Sequence, residues 1–228
     1  MDTRYILVLA AVVILGWFAV GIIYNLRRGE SLLRWMQGGL PLIGERTTFR
    51  WLGSSVAELV IERAKSPFRR LETLVILAPR DVPFMWLWAL AIGRRDTLIL
   101  RSNLQSAPKI VLELVDPAAW TGRQALQEVV RDGWESSPAL TTIPVLAARG
   151  EAIKGLRLMA PQGRLSPALA ALPSCLSIID QFSPRFTRLS VRRDPPSLEV
   201  HLPFPNPRKI DAGEFFESFK TLGKAVCE

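Results

Sequence analysis

The residues able to do chemistry are few. The chain has one histidine, His201, and two cysteines, Cys175 and Cys227. His201 stands in SLEVHLPF, where Leu198, Val200 and Leu202 alternate onto one strand face and Glu199 and His201 onto the other, read as solvated. One imidazole and two thiols cannot fill a His-rich or four-cysteine zinc site. Cys175 lies in an apolar run and reads as core filler, and Cys227 is penultimate, so the two thiols do not form a disulfide framework. A dyad of either thiol with His201 is the one nucleophilic arrangement left. Carboxylate catalysis needs two acids at one cleft. Asp81, Asp96, Asp116 and Asp132 all fall at the ends of predicted strands or helices, where capping and turn formation account for them. The chain lacks a P-loop, a G-x-G-x-x-G and a G-x-S-x-G, and Thr47 and Thr48 in GERTTFRW have no P-loop lysine beside them. No metal, cofactor or enzymatic reaction is expected.

The elements around these residues say more. Tyr5 to Tyr24, YILVLAAVVILGWFAVGIIY, carries no charge and at ~1.5 Å per residue reaches about 30 Å, the thickness of a bilayer core. Tyr5 and Tyr24 stand at its ends, where amphipathic rings prefer the headgroup level, and Trp17 lies within it. The run is too long for a signal-peptide h-region and no A-x-A site follows, so an uncleaved anchor is expected. Arg4 precedes the span and Arg27, Arg28 and Arg34 follow it, which places the carboxyl side in the cytoplasm and the amino terminus outside. Within the span no two small residues are four apart, so a GxxxG-type dimer face is not indicated.

The 228 residues carry a net charge of +8, and over half of the excess lies beside the span: Leu26 to Arg70 holds nine Lys or Arg against four Glu. Anionic lipid, nucleic acid and acidic proteins are all admissible to such a chain. Arg27, Arg28, Arg34 and Trp35 form the candidate membrane-surface set, with Leu32, Leu33 and Met36 at helical spacing and able to lie in the interface. QGGLPLIGE, Gln37 to Glu45, breaks the helix and reads as a linker. Nucleic acid is disfavoured. The arginines of PRFTRLSVRRDPP (Arg185, Arg188, Arg192, Arg193), and Arg94, Arg95 and Arg101 in the earlier half, are interleaved with Phe186 alone.

Laid against itself, the rest suggests a repeat. Ala78-Pro79 ends an apolar strand-like run, as does Ala160-Pro161, 82 residues on. An apolar segment follows each, then a strand pair with hairpin-like turns, NLQSAP and RRDPP. A helix then opens on Thr121-Gly-Arg-Gln124 or Asp211-Ala-Gly-Glu214, each of capping-box form. The second helix shows Phe215, Phe219, Leu222 and Val226 on one stripe. The leading elements disagree. SVAELVIERA has helical spacing and a capping box at Ser55, whereas TTIPVLAARG reads as an edge strand. The expected fold is α+β, an N-terminal transmembrane helix followed by βαββα units read as a duplicated pair, on mostly antiparallel sheet. The expected organisation is an anchor with its basic flank at 1–28, a juxtamembrane amphipathic segment and linker at 29–53, and two halves at 54–135 and 136–228.

PFMWLWALAIGRRD, Pro83 to Asp96, falls in the first-helix slot of the unit. Its nine uncharged residues, Phe84 to Ile92, cannot span a bilayer, and an all-round apolar helix is usually core. Trp86 and Trp88, however, project about 200° apart on a helix, so one exceeds what a core needs. They are the candidate partner-binding residues, with a partner groove or a membrane contact as the alternatives to core. The expected function is a membrane-anchored interaction, scaffold or accessory subunit, on an anionic lipid surface and with a membrane or cytoplasmic protein partner. A ligand-binding or sensory domain with a pocket between the halves comes second, and an enzyme with an unrecognised site third.

Overall fold

Period-two alternation decides the sheet. Ala57, Leu59 and Ile61, then Leu71 and Val75, then Leu98 and Leu100, then Leu198, Val200 and Leu202 point to one face and are buried there. The computed structural model describes residues 3–137, 140, 155–182 and 186–228. Its strands are β1 (Thr47–Trp51), β2 (Val56–Ile61), β3 (Phe68–Ile76), β4 (Thr97–Leu104), β5 (Leu112–Val115), β6 (Glu135–Ser136), β7 (Arg157–Ala160), β8 (Arg188–Val191) and β9 (Leu198–Pro203). They form one antiparallel sheet in the order β1-β2-β3-β4-β9-β8-β5-β7-β6. The fold is therefore α+β, with one long apolar helix, α1 (Thr3–Gln37), at the amino terminus.

Among the described residues, four helices meet the apolar face. The end of α1, the short α2 (Leu40–Ile43), α5 (Leu165–Phe182) and α6 (Ala212–Ala225) supply Leu32, Met36, Leu40, Ile43, Leu172, Cys175, Leu176, Phe215, Phe216 and Phe219 to one core. Phe68 and Phe219 stack with centroids 5.0 Å apart. Each such side chain taken from water contributes roughly 1.5–3 kcal/mol. α6 opens as expected: Asp211 caps it by accepting from Glu214 N at 3.0 Å. α4 (Trp120–Arg131) crosses the other face, where Glu128 reaches Arg188 at 3.8 Å. α3 (Pro83–Ala91) joins β3 to β4.

Several expectations need correction. SVAELVIERA is not a helix. Val56–Ile61 is an inner strand between β1 and β3, its β-branched Val56, Val60 and Ile61 favouring sheet once both edges are paired. Leu32 and Met36 do not lie in an interface, because both are fully buried in the core. Gln37–Glu45 does not lead away from the body as a linker, since Leu40 and Ile43 inside it are core. Thr121 is not a cap. α4 begins after Ala119 with no side-chain cap, and the Thr121 hydroxyl meets that of Thr187 at 3.2 Å. Glu199 and His201 are buried rather than solvated.

The fold does not show the expected duplication; the two runs share element order alone. β3-α3-β4-β5-α4 and β7-α5-β8-β9-α6 both read βαββα. Yet β3 pairs directly with β4, whereas β5 stands between β7 and β8, and the β8–β9 hairpin has no counterpart because β9 and β8 separate β4 from β5. The TTIPVLAARG stretch and Arg185 lie outside the described residues.

Candidate functional site

α1 does not end where its apolar span ends. It runs unbroken from Thr3 to Gln37, and Gly21, Asn25, Gly29, Leu32 and Met36, spaced four, four, three and four apart, form its buried stripe. Residues so spaced share one helix face. The two glycines are there for proximity. A Cβ at Gly21 would stand 2.5 Å from Asp81 Cα, and one at Gly29 would stand 2.5 Å from the Trp51 ring. Asn25 donates to Ala78 O at 3.1 Å and accepts from Arg80 Nη1 at 3.2 Å. Further on, the Trp35 indole donates to Ile210 O at 2.6 Å and packs edge-on to Phe215 at 5.2 Å.

Asp96 is the hub of this junction. The turn after α3 holds its carboxylate, buried, where it accepts from Arg80 Nη1 and Nη2 at 2.9 and 3.0 Å, Arg28 Nε at 2.6 Å and Ala78 N at 2.8 Å. Burial pushes its pKa up, but the Arg80 hydrogen bond, the Ala78 N–H and the charges of Arg80 and Arg28 outweigh that and hold it below the usual carboxylate range. Arg28 also lies over the Phe204 ring at 4.4 Å, and Arg80 over Tyr24 at 5.0 Å. The site thus ties α1, the β3–α3 loop and the start of β4 together with charge-assisted bonds, and holds the segment after β9 through the Arg28–Phe204 contact.

α3 hangs from this junction. Ala89 is its one buried residue; Trp86 meets Trp17 with ring centroids 6.1 Å apart, and Trp17 Nε1 donates to Arg80 O at 2.9 Å. Phe84, Met85, Leu87 and Trp88 are exposed. The expectation of a buried helix is thereby overturned. An all-round apolar helix needs cover on every side, and the body of the protein covers one.

The sheet face opposite the core is a ladder of charges. Glu113 is fully buried between Arg188, whose Nε donates to Oε1, and Arg192, whose Nη2 donates to Oε2 at 3.1 Å. Glu199 accepts from Arg101 Nε at 3.1 Å, faces Arg188 Nη1 at 3.5 Å, and is bonded to His201 Nε2. Burial raises Glu199, but the His201 bond and the positive charges of His201, Arg188 and Arg101 override it and bring it to about 2. His201 is lowered, chiefly by burial and further by Arg188 and Arg101 against the pull of Glu199. Its Nε2–H is then the donor to Glu199. Cys175 sits in the core on the opposite face of the sheet from His201, so the two do not form a dyad, and burial pushes its thiol up to about 11. Among the described residues no group of three or more His, Cys, Asp or Glu is placed to hold a metal ion.

A cleft of about 420 Å³ is lined by Lys109, Asp132, Trp134, Arg164, Arg192 and Arg193, among others. Arg192 lies over the Trp134 ring at 5.3 Å.

The expected site residues are scattered over these features. Tyr5, Trp17 and Tyr24 lie on α1, all exposed. Arg27 and Arg34 point outward, whereas Arg28 and Trp35 are spent on contacts within the molecule. Trp86 is held against α1 and Trp88 is free at the surface. No protein-family model matches the chain, and no curated protein matches it. The junction itself, Gly21-Asn25-Gly29 with Asp96 and Arg80, was missed from sequence. Its signal was a polar amide between two glycines at four-residue spacing across the end of the apolar span, which is the pattern of a helix face in close contact.

Proposed function

We propose that the protein is a single-pass membrane protein whose α+β domain works without catalysis, as a scaffold or accessory subunit holding a protein partner at the cytoplasmic surface. The observation that carries this reading is the continuity of α1. A helix long and apolar enough to cross a membrane continues, without a break, into the core of the domain and is locked there by Asn25, Arg28, Leu32 and Trp35. A flexible tether would suit a domain that searches for a substrate; a locked one suits a domain that presents a surface in a fixed attitude. Arg27 and Arg34, both exposed, supply charge toward anionic lipid. The buried polar groups support the same reading, since the carboxylates Asp96, Glu113 and Glu199 are each satisfied by arginines. Gentle detergent extraction of the native protein, followed by its native mass and the identity of what co-migrates, is the test. A stoichiometric larger assembly supports the reading, and a lone monomer refutes it.

A second reading is favoured by the cleft of about 420 Å³. Its basic rim and the Trp134 ring suit a flat anionic small molecule. Thermal unfolding with nucleotides and dicarboxylates separates the two: a shift lost in Arg193→Ala points to a ligand-binding domain.

A further inference from the structure

α3 presents large apolar side chains to the outside, with Phe84 72 %, Leu87 61 % and Trp88 69 % exposed. What covers them follows from where α3 is held. Trp86 lies against Trp17, the loop before α3 gives its Arg80 carbonyl to Trp17, and Gly21 admits Asp81 to van der Waals range of the α1 backbone. Trp17 and Gly21 are not beyond the apolar span but within it. At ~1.5 Å per residue they stand about 10 and 5 Å toward its centre from Tyr24. An α1 that crosses a bilayer therefore carries the α3 entrance below the headgroup boundary, at the depth of about 5–10 Å to which interfacial helices bury their apolar faces.

The polar groups of the loop are arranged for that depth. The Arg80 guanidinium turns back to Asp96 and Asn25, Asp81 accepts from Ser54 Oγ at 2.7 Å, and the Trp17 N–H is spent on the Arg80 carbonyl. Arg94 and Arg95 follow the helix, where they meet the headgroups; Arg95 Nη1 donates to Leu90 O at 3.1 Å, and Arg94 lies over Trp120 at 5.3 Å. The exposed faces of α1 and α3 are also continuous, because Trp17 is exposed beside Trp86.

We infer that α3 is a second membrane contact, a short helix inserted into the leaflet nearest the domain, with Phe84, Met85, Leu87 and Trp88 among the acyl chains. The inference rests on α1 crossing the bilayer, and it assigns Trp88 to lipid rather than to a protein partner. With two contacts the domain is pinned against rotation about the α1 axis as well as against departure from the surface.

The test uses the full chain with Cys227→Ser, reconstituted in vesicles of phosphatidylcholine and phosphatidylglycerol. A nitroxide is placed singly by Leu87→Cys, by Val20→Cys as the span control and by Glu217→Cys as the aqueous control. Leu87, Val20 and Glu217 are all exposed, so the substitutions leave the core intact. Collisional relaxation by oxygen and by a water-soluble nickel chelate is read at each site. The expected result is that position 87 follows position 20, open to oxygen and closed to nickel. Nickel access at 87 equal to that at 217 overturns the inference while leaving the anchor intact. Shielding of 87 from both reagents overturns it in favour of a protein surface, whether a partner or a second copy. Nickel access at position 20 overturns the anchor and the inference together.

Discussion

Asp96→Ala removes the acceptor that joins α1 to the domain. Asp96 has a side chain 5 % exposed, against 22 % for Arg80 and 37 % for Arg28. Breaking a buried ion pair by deleting one partner costs about 3–5 kcal/mol, because the other charge is left uncompensated. That figure applies in full to neither arginine here. Arg28 is more than a third exposed and rehydrates, so its share is roughly 0–1 kcal/mol. Arg80 is less exposed and holds both carboxylate oxygens, and the Ala78 N–H loses its acceptor for about 1–3 kcal/mol. A total of about 3–4 kcal/mol is expected, read from urea unfolding of the full chain in nonionic micelles by circular dichroism. Asp96→Asn keeps an acceptor for Ala78 N and falls between. Combining Asp96→Ala with Arg80→Ala recovers roughly 1–3 kcal/mol of coupling. The pH dependence has a definite sign. The native pKa is depressed, so this contribution is complete above the unfolded value of about 3.9 and is lost as the pH falls through the lower native one. A loss below about 1 kcal/mol, no larger than an ordinary surface substitution causes, would refute the hub.

Gly21→Leu forces α1 off the Arg80–Asp81 backbone. Trypsin then cuts after Arg27 or Arg28 at a rate well above that of the parent chain, while Gly16→Leu, with open space around it, leaves the rate unchanged. Glu113→Ala, which leaves Arg188 beside an emptied buried site, costs about 3–5 kcal/mol in the same unfolding assay. Stability declines in two stages on acidification, because His201 and Glu199 both titrate below their unfolded values of about 6.5 and 4.3. His201→Phe abolishes the first stage, which begins as the pH falls through the unfolded histidine value of about 6.5. A maleimide labels Cys227 in the native protein but reaches the high-pKa, buried Cys175 only after unfolding, as mass spectrometry reports.

The sheet was legible where one face is apolar and the other carries charge. The alternation through Leu198, Val200 and Leu202, and the Asp211 cap, translate directly into β9 and α6. Reading failed where pairing is non-local. Val56–Ile61 carries a helix-like spacing, and its strand state is imposed by β1 and β3 on either side. NLQSAP has hairpin chemistry but joins strands that β9 and β8 separate, since a turn signal fixes local direction and not the neighbour a strand finally takes. Glu199 and His201 looked solvated because alternation labels a face polar; burial of that face comes from arginine stems laid across it from β4 and β8. The junction of α1 was half visible. Its glycines and Asn25 lie in plain sequence, but the partners of Gly21 and Asn25, Ala78 to Asp81, stand more than fifty residues away, and Trp51 meets Gly29 only once β1 is folded back.

For an α1 that crosses a bilayer, its unbroken passage into the core makes the protein a lever. With no joint between span and sheet, any inclination of the span is an inclination of the whole domain. A 30 Å apolar span in a 27 Å hydrocarbon layer must lean by about 25° to keep itself immersed, and in a 30 Å layer it can stand upright. Carried outward by a nine-stranded sheet, that swing pivots the domain about the α3 contact and changes the height of the parts far from it. Membranes that differ by a few ångströms in thickness would thus display different faces of the same folded chain.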